Sequence, residues 1–254
     1  MKITYIHHSS FAVEFEWRES GAEQNTVLLF DYCAKGTLPA WKKDSMIYVF
    51  ASHKHFDHYS KKIFDLALEY PNIFFVLAKE IRMNEKYMDR WNIPEEARKK
   101  IGYVGKNQQY VFSCTNGKLY VETLASTDSG VAYIVQFAGR TIYHAGDLNW
   151  WFWEDKFDDE QKKDMERRFT REIDEAAAKN YQFDAAFLPL DGRLEGNFYK
   201  GFDYYLRNWD IQNAFPMHCW ERYEVITQLK QMEVSKNYRD KIVEITADGQ
   251  NWEL

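Results

Sequence analysis

The residues of this chain that are best suited to chemistry stand together at positions 53–58, in the segment His-Lys-His-Phe-Asp-His. Imidazole nitrogens and carboxylate oxygens are the donors that Zn²⁺ and related cations bind. A polar surface loop is the alternative, but side chains of this kind placed so closely require a common partner. The segment directly follows residues 46–51, an apolar run rich in β-branched and aromatic types that predicts a buried strand. We therefore expect a metal site at the end of a strand.

This segment resembles the His-x-His-x-Asp-His signature of the metallo-β-lactamase-fold hydrolases. Other motifs of that superfamily occur in the same order along the chain. The opening segment, residues 1–11 ending in His-His-Ser-Ser-Phe, resembles the opening strand and loop of the branch that contains L-ascorbate-6-phosphate lactonase. The remaining motifs are Leu-Leu-Phe-Asp at residues 28–31, Tyr-His-Ala-Gly-Asp at residues 143–147 and Pro-Met-His at residues 216–218.

The resemblance implies an α/β fold, a four-layer αβ/βα sandwich, and a divalent metal centre with one or two ions per chain. Zinc is the expected metal, and manganese and iron are the alternatives. The ligands that the resemblance implies for the first metal are His53, His55 and Asp147. The ligands that it implies for the second metal are Asp57, His58, Asp147 and His218.

The activity that the resemblance implies is hydrolysis of a small ester, lactone or phosphoester by a metal-bound hydroxide, because a bound cation lowers the pKa of water to about 7. Asp57 is the candidate that accepts or delivers a proton, and His8 is the candidate that binds substrate near the metals. A packed histidine at a strand end is the alternative for His8. Two other functions stay open: an RNA or DNA phosphodiesterase of the same superfamily, and a metal-binding protein without hydrolytic activity.

One feature of the family pattern is missing. Most relatives supply another histidine to the first metal from the loop before the strand predicted at residues 131–137, where this chain has Ser-Thr-Asp-Ser-Gly at residues 126–130. The sequence has no histidine between His58 and His144. Two imidazoles and a carboxylate would then remain, which is the ligand count of an open catalytic zinc site, unless Asp128 completes it.

Three features near these motifs admit two interpretations each. Asp31 follows an apolar run, so it is either a buried carboxylate that orients a ligand histidine or a plain aspartate at a strand end. Cys219 follows His218, and because neighbours in a strand or tight turn point apart, a packed cysteine is preferred to a metal ligand. The aromatic run at residues 150–153 packs in a core or an interface, with a surface that stacks on substrate as the alternative.

Composition and charge limit the partners. The 254 residues include 33 Lys and Arg against 39 Asp and Glu, which gives a net charge of −6. The sequence has no run of basic residues of the kind that binds along a phosphate backbone. Nucleic acid is therefore disfavoured as a substrate, and a small-molecule substrate is expected. The three cysteines are far apart in the sequence, and the first residues lack the charged stretch followed by an apolar stretch that is typical of a signal peptide. These features predict a reduced, cytoplasmic protein with no membrane association. A homo-oligomer is left open.

The pattern of apolar residues predicts one α/β domain over residues 1–254. Strands are expected at residues 2–6, 10–17, 26–32, 46–51 and 73–77, with a break at residues 21–25. A second set of strands is expected at residues 110–113, 119–124, 131–137, 141–145, 185–190, 213–217 and 242–245. Helices are expected at residues 95–100, 158–180 and 221–232. The helix at residues 158–180 is highly charged with one apolar stripe, which predicts a solvated face and not a partner site.

Overall fold

The computed structural model describes residues 1–19, 22–114 and 117–254. These residues form two compact units. The first unit contains residues 1–105, the described part of residues 112–118, and residues 247–254. The second unit contains residues 106–111 and 119–246. The expected organisation as one domain over residues 1–254 stays a prediction.

Consecutive strands lie within residues 2–51 and 101–144, and strands and helices alternate in the other parts of the described chain. The strands are β1 Lys2–His7, β2 Ser10–Glu19, β3 Ala22–Phe30, β4 Met46–Ala51, β5 Ile73–Ala78, β6 Ile101–Val104, β7 Gln109–Cys114, β8 Gly117–Ala125, β9 Val131–Phe137, β10 Arg140–His144, β11 Gln182–Phe183, β12 Ala185–Pro189, β13 Asp210–Ile211, β14 Ala214–Met217 and β15 Asn251–Glu253. The α-helices are α1 Leu66–Glu69, α2 Glu85–Arg90, α3 Glu95–Arg98, α4 Asp159–Ala177, α5 Lys200–Asn208 and α6 Glu224–Gln231. Within the described ranges, no helix has both the length and the apolar character that a membrane crossing requires.

The sheet of the first unit has the strand order β15-β1-β2-β3-β4-β5-β6 over the residues described. Neighbours from β1 to β3 are antiparallel, and neighbours from β3 to β6 are parallel. β1 therefore runs in the same direction as β3 and β4, and the carboxyl ends of these three strands lie at one edge of the sheet. At that edge His8 follows β1, Asp31 follows β3, and Ser52 and His53 follow β4.

The two central strands of this sheet are buried on both faces. Residues 27–30 of β3 have no exposed surface, and neither have Ile47, Val49 and Phe50 of β4. The rings of Phe30 and Phe50 stack with their centroids 4.8 Å apart. Each fully buried side chain of this size stabilises the fold by about 1.5–3 kcal/mol. The predicted buried strand at residues 46–51 is confirmed, and it gives the residues that follow it a rigid base.

The sheet of the second unit has the order β14-β12-β10-β9-β8-β7 over the residues described. β14, β12 and β10 are parallel neighbours, and β10, β9 and β8 are antiparallel neighbours. His144 of β10 pairs with Phe187 of β12, and Pro189 of β12 pairs with Met217 of β14. The carboxyl ends of the three parallel strands therefore lie at one edge. The residues that follow them include Asp147, Asp191 and His218.

Helix α4 is the charged helix predicted from the sequence. It begins with a capping box, in which Asp158 Oδ1 accepts from Gln161 N at 2.8 Å and Gln161 Oε1 accepts from Asp158 N at 3.0 Å. One face buries Met165, Phe169 and Ile173. Most of the other positions carry charged residues, which are exposed or half-buried except for the buried Glu172, as expected for an amphipathic helix on the surface of its unit. The interpretation of this charge run as a solvated face is confirmed.

Several elements differ from the prediction. The strand expected at residues 242–245 is reduced to an isolated bridge between Ala214 and Ile242. At this bridge Val243 N donates a hydrogen bond to Ala214 O. The expected break at residues 21–25 is shorter, because β3 begins at Ala22, and Gly21 lies outside the described residues. Helix α5 was not predicted. It starts Lys-Gly-Phe-Asp-Tyr-Tyr, and glycine and aromatic residues have low helix propensity, so packing of the chain must favour the helix here.

Candidate metal centre

The His-Lys-His-Phe-Asp-His segment folds as a tight turn directly after β4. The backbone N–H groups of His58 and Tyr59 both donate to the carbonyl of His55, at 3.1 and 2.9 Å. The ring centroid of His53 lies 4.5 Å from that of His55 and 4.2 Å from that of His58. The turn therefore brings the three imidazoles of the motif together.

A fully buried carboxylate, that of Asp31, holds this turn in place. Asp31 Oδ1 accepts from Ser52 N at 2.7 Å, and Oδ2 accepts from Ser52 Oγ at 2.6 Å and from His58 Nδ1 at 2.7 Å. A carboxylate bound to a histidine in this way fixes the orientation of the ring and raises its basicity as a ligand. The structure therefore supports the interpretation of Asp31 as a buried carboxylate that orients a histidine.

These hydrogen bonds also determine which ring nitrogen carries the proton. Because a carboxylate only accepts, His58 Nδ1 donates to Asp31, and the Ser52 hydroxyl gives its single proton to the same carboxylate. His53 Nδ1 lies 2.9 Å from Ser52 Oγ and must be the donor in that contact. In neutral His53 and His58 the lone pair is thus on Nε2, which is the nitrogen that would bind a metal.

His8 joins the same cluster, and its neighbour His7 does not. His8 has a backbone φ of +54° and a relative exposure of 6%. Its Nε2 lies 3.4 Å from Asp57 Oδ2, and the same oxygen lies 3.8 Å from His58 Nε2. His7 Nδ1 instead pairs with Asp248 Oδ2 at 2.9 Å. Of the two adjacent histidines, only His8 is therefore placed to take part in chemistry at the cluster.

In the second unit, a tight loop after β10 presents Asp147. Gly146, with φ of +53°, allows the turn. The carbonyl of Asp147 accepts from Trp151 Nε1 at 3.0 Å, and its side chain is nearly buried. His144 Nδ1 accepts from Gly146 N at 3.2 Å, so a neutral His144 carries its proton on Nε2. His144 therefore stabilises the loop, in contrast to the histidines that present a lone pair on Nε2.

His218, which follows β14, repeats the arrangement seen at His58. Its Nδ1 donates to Asp191 Oδ2 at 3.0 Å, and its Nε2 lies 3.6 Å from Asp147 Oδ1. Arg193 donates from Nε to both oxygens of Asp191, at 3.0 and 2.9 Å. Burial of Asp191 disfavours its charged form, but the hydrogen bonds from His218 and Arg193 outweigh burial and lower the pKa of Asp191 to about 2. Asp191 is thus an anion that orients His218, a role that the sequence alone did not reveal.

The donor set of each unit fits a divalent metal. His53 and His58 present Nε2 lone pairs in the first unit, and His218 presents one in the second, 3.6 Å from a carboxylate oxygen of Asp147. Imidazoles held at Nδ1 by an oxygen, together with carboxylates, are the donors of zinc, manganese and iron sites. The assignment of His53, His55, Asp57, His58, Asp147 and His218 to particular metals stays a prediction.

The loop that lacks the family's histidine supports Asp147 through a hydroxyl. Thr127 Oγ1 accepts from Asn149 N at 3.1 Å and donates to Asn149 O at 2.6 Å, and it lies 3.3 Å from Asp147 O. Asp128 is exposed, and in the described part of the chain it belongs to no group of three or more donors close enough to share an ion. The role of Thr127 was not predicted from the sequence, since a threonine in a polar loop belongs to no motif.

Cys219 is a packed residue. It has a relative exposure of 3%, and its Sγ donates to Met217 O at 3.7 Å. Burial raises the pKa of the Cys219 thiol. Because the thiolate is the form that binds metal, a thiol kept protonated is a poor ligand. The preference for a packed cysteine is confirmed.

The aromatic run at residues 150–153 is divided between two environments. Trp150 packs on Phe169 of α4, with ring centroids 6.0 Å apart. The rings of Trp151 and Trp153 stack with their centroids 6.2 Å apart and with an angle of 6° between their planes. The ring of Trp151 also meets the ring of His218 edge to face, with centroids 5.4 Å apart. Trp151 is therefore both buried and in contact with a candidate metal ligand, whereas Trp150 and Trp153 are half-buried.

We expect Gly201→Ala to lower the free energy of unfolding by about 1–3 kcal/mol, as overpacking does. A Cβ on Gly201, in the first turn of α5, would lie 1.9 Å from Asn149 Oδ1 and 3.1 Å from Trp150 N. The substitution would therefore displace the loop that carries Asp147. Gly196→Ala is the control, because a Cβ there meets nothing within 4 Å.

Chemical denaturation of both variants checks this expectation. In a background of Asn149→Ala, which removes the clashing amide, Gly201→Ala should lose most of its effect on stability. Equal stability of Gly201→Ala and Gly196→Ala would contradict it, because the loop that carries Asp147 would then accommodate the added methyl group without a change in the free energy of unfolding.

No family model and no curated protein matches this chain. Among solved structures, human tRNase Z, short form, is similar with a TM-score of 0.51 and 11% identity, covering 100% of this chain and 99% of that chain. The metallo-β-lactamase fold protein YhfI from Bacillus subtilis is similar with a TM-score of 0.47 and 10% identity, covering 99% of this chain and 98% of that chain. A metallo-β-lactamase superfamily protein from Thermotoga maritima is similar with a TM-score of 0.39 and 13% identity, covering 85% of this chain and 75% of that chain.

The similarity to tRNase Z extends over the whole of both chains and, at 11% identity, shows the fold alone. Each unit contributes one large sheet with helices, as described above. The predicted α/β class with a metallo-β-lactamase-like fold is confirmed. The chain is therefore a protein of this fold with clustered histidines and aspartates that fit a metal.

Proposed function

We propose that this chain is a metal-dependent hydrolase that acts on a small ester, lactone or phosphoester. The observation that carries the proposal is the hydrogen bonding of His53, His58 and His218, each of which is held at Nδ1 by an oxygen and presents Nε2. This is the arrangement that fixes histidines for metal binding. The ligands that we propose are His53, His55, Asp57, His58, Asp147 and His218.

Zinc is the metal that we propose, in one or two ions per chain, with manganese and iron as alternatives. Imidazole nitrogen and carboxylate oxygen are donors common to all three metals, and zinc sites with few protein ligands keep a position open for water or substrate. A cation held by these residues would acidify a bound water and polarise the scissile oxygen.

His8 and Asp57 are the residues that we propose for substrate binding and proton transfer. Asp57 Oδ2 lies 3.4 Å from His8 Nε2, a separation that a small movement converts into a hydrogen bond. His8 has a relative exposure of 6%, so bulk water competes little for its ring. Asp57 would accept or deliver the proton of the reaction, and His8 would hold a substrate oxygen beside it.

We expect His8→Ala to lower kcat/KM by about 100-fold, the lower end of what the loss of one hydrogen-bond donor to a reacting oxygen costs. Metal content should not change, because His8 is not among the proposed ligands. His7→Ala is the matched control, since His7 is paired with Asp248. Steady-state kinetics and metal analysis of the two variants separate the roles, and equal rates for both would make His8 a packed residue.

A small substrate is favoured by the net charge of −6 and by the lack of a basic run. The motif at residues 7–11 supports the branch of L-ascorbate-6-phosphate lactonase, whose substrate is a lactone. We propose in addition a cytoplasmic location, one domain and no membrane partner, and a homo-oligomer stays open. The two alternatives, a nucleic-acid phosphodiesterase and a metal-binding protein without hydrolysis, are outcomes of the experiment below.

The experiment removes metal with a chelator and then supplies Zn²⁺, Mn²⁺ or Fe²⁺ in turn. Each form is assayed on 4-nitrophenyl acetate, γ-butyrolactone, bis(4-nitrophenyl) phosphate and a single-stranded RNA. We expect a small substrate to be hydrolysed by the reloaded protein and not by the stripped protein. Cleavage of RNA alone would favour the phosphodiesterase, and inactivity of every loaded form would favour the metal-binding protein.

A further inference from the structure

Three tryptophans and one arginine form a group beside His218, and we refer to Trp151, Trp153, Trp220 and Arg193 as the tryptophan cluster. Trp151 meets the His218 ring at 5.4 Å and Trp220 meets it at 5.5 Å, both edge to face. Trp153 stacks on Trp151. Two members of the cluster therefore contact the ring of His218, a candidate metal ligand.

Arg193 adds a guanidinium to this surface, in an ion pair with the buried Asp191. Its guanidinium carbon lies 4.4 Å from the centroid of Trp220 and 5.7 Å from that of Trp153, while Nε and Nη2 bind Asp191. The side chain of Arg193 is 44% exposed, so part of the guanidinium faces solvent. The ammonium of Lys156 lies 4.2 Å from the centroid of Trp153. Two cations thus accompany indole rings at the same place.

The backbone keeps this arrangement at a conformational cost. His218, Trp220 and Glu221 have φ values of +62°, +52° and +59°, in the left-handed region that non-glycine residues rarely adopt. Backbone of this kind persists where the surrounding structure enforces it, and it clusters at functional sites. Trp153 and Trp220 are only partly buried, although fully buried tryptophans would remove more apolar surface from water. Trp153 and Trp220 therefore leave part of their ring surface open to solvent.

We propose that the tryptophan cluster binds an aromatic ring of a negatively charged substrate, so that the substrate class is an anionic aryl ester or aryl phosphoester. The ring would stack on the exposed indoles, and the anionic group would pair with Arg193 and Lys156. This proposal deepens the proposed function and rests on it. It names the specificity-determining residues as Trp153 and Trp220, whereas Trp151 holds the Asp147 loop through its Nε1.

The test compares two pairs of compounds that differ only in an aromatic ring. Phenylphosphonate and methylphosphonate are compared by calorimetric binding to the zinc-loaded protein. Bis(4-nitrophenyl) phosphate and methyl 4-nitrophenyl phosphate, which release the same leaving group, are compared by kcat/KM. One stacked aromatic pair predicts a preference of about three- to tenfold for the aryl member of each pair.

In Trp153→Leu and in Trp220→Leu, we expect this preference to fall towards one, and the second variant serves if the first does not fold. Trp91→Leu is the control and should keep the preference. Trp91 is a half-exposed tryptophan of the first unit whose ring also lies under a lysine ammonium, 2.7 Å from Lys61 Nζ.

The outcomes separate the two proposals. An aryl preference that the cluster variants retain, or no aryl preference in the unaltered protein, overturns the inference whether or not the protein hydrolyses anything. Phosphonate binding with the expected preference, together with no hydrolysis of any ester, lactone or phosphoester, supports the cluster as a binding site and overturns the proposed function.

Discussion

The Asp147→Asn variant is expected to lose more activity and more metal than any single-histidine variant. We expect kcat/KM to fall by at least about 10³-fold, the upper range for loss of one group that stabilises charge in a reaction. The reason is that Asp147 is the one residue proposed as a ligand of both metals, and asparagine keeps the shape of the side chain while it removes the charge. The backbone bond from Trp151 Nε1 to Asp147 O does not depend on the side chain, so the loop should keep its conformation.

Metal analysis and kinetics of Asp147→Asn test this expectation against Asp210→Asn. Asp210 is an exposed aspartate of the same unit, whose Oδ1 accepts from Gln212 at 3.0 Å, and its substitution should change neither quantity. If Asp147→Asn keeps its metal and its turnover, the bridging role is wrong. The Tyr-His-Ala-Gly-Asp motif would then be only a tight turn after a strand.

The Asp31→Ala variant is expected to lower the free energy of unfolding by at least about 3 kcal/mol, since each buried donor left without an acceptor costs about 1–3 kcal/mol. Alanine would leave Ser52 N, Ser52 Oγ and His58 Nδ1 without their acceptor in a region that water does not reach. Because Asp31 orients His58, metal affinity should also fall by about 10–100-fold.

Asp44→Ala is the control for that variant, since Asp44 is an exposed aspartate of the same unit. Thermal unfolding gives the stability of both variants, and competition with a chromogenic chelator gives the metal affinity. A stable Asp31→Ala variant with unchanged affinity would mean that Asp31 is a plain aspartate at a strand end.

The sequence predicted the first half of the candidate site well because its residues are close together in the chain. His53, His55, Asp57 and His58 all lie in one turn after one strand, so a local pattern was sufficient to find them. The buried strand β4 was predicted for a related reason, since its apolar residues are continuous. Asp147 and His218 came from the resemblance, because nothing local distinguishes an aspartate or a histidine that follows a strand.

The residues that support the site were harder to predict because their partners are distant in sequence. Asp191 lies 27 residues from His218, and Thr127 lies 22 residues from Asn149. Their roles depend on parallel neighbours and loop contacts that only the folded chain brings together. Helix α5 was missed because glycine and aromatic residues weaken its local signal, and its helical state depends on the burial of Phe202 and Tyr205.

The most direct test of the central claim is the metal-to-protein ratio of the purified chain, measured together with that of His58→Ala and His218→Ala. One variant comes from each unit, and each removes a proposed ligand whose Nδ1 is held by a buried aspartate. We expect one or two divalent ions in the unaltered protein and a clear loss of metal in both variants, because affinity falls steeply when a ligand is removed. A protein that holds no divalent metal after exposure to Zn²⁺, Mn²⁺ and Fe²⁺, or variants that both keep the full amount, would contradict it.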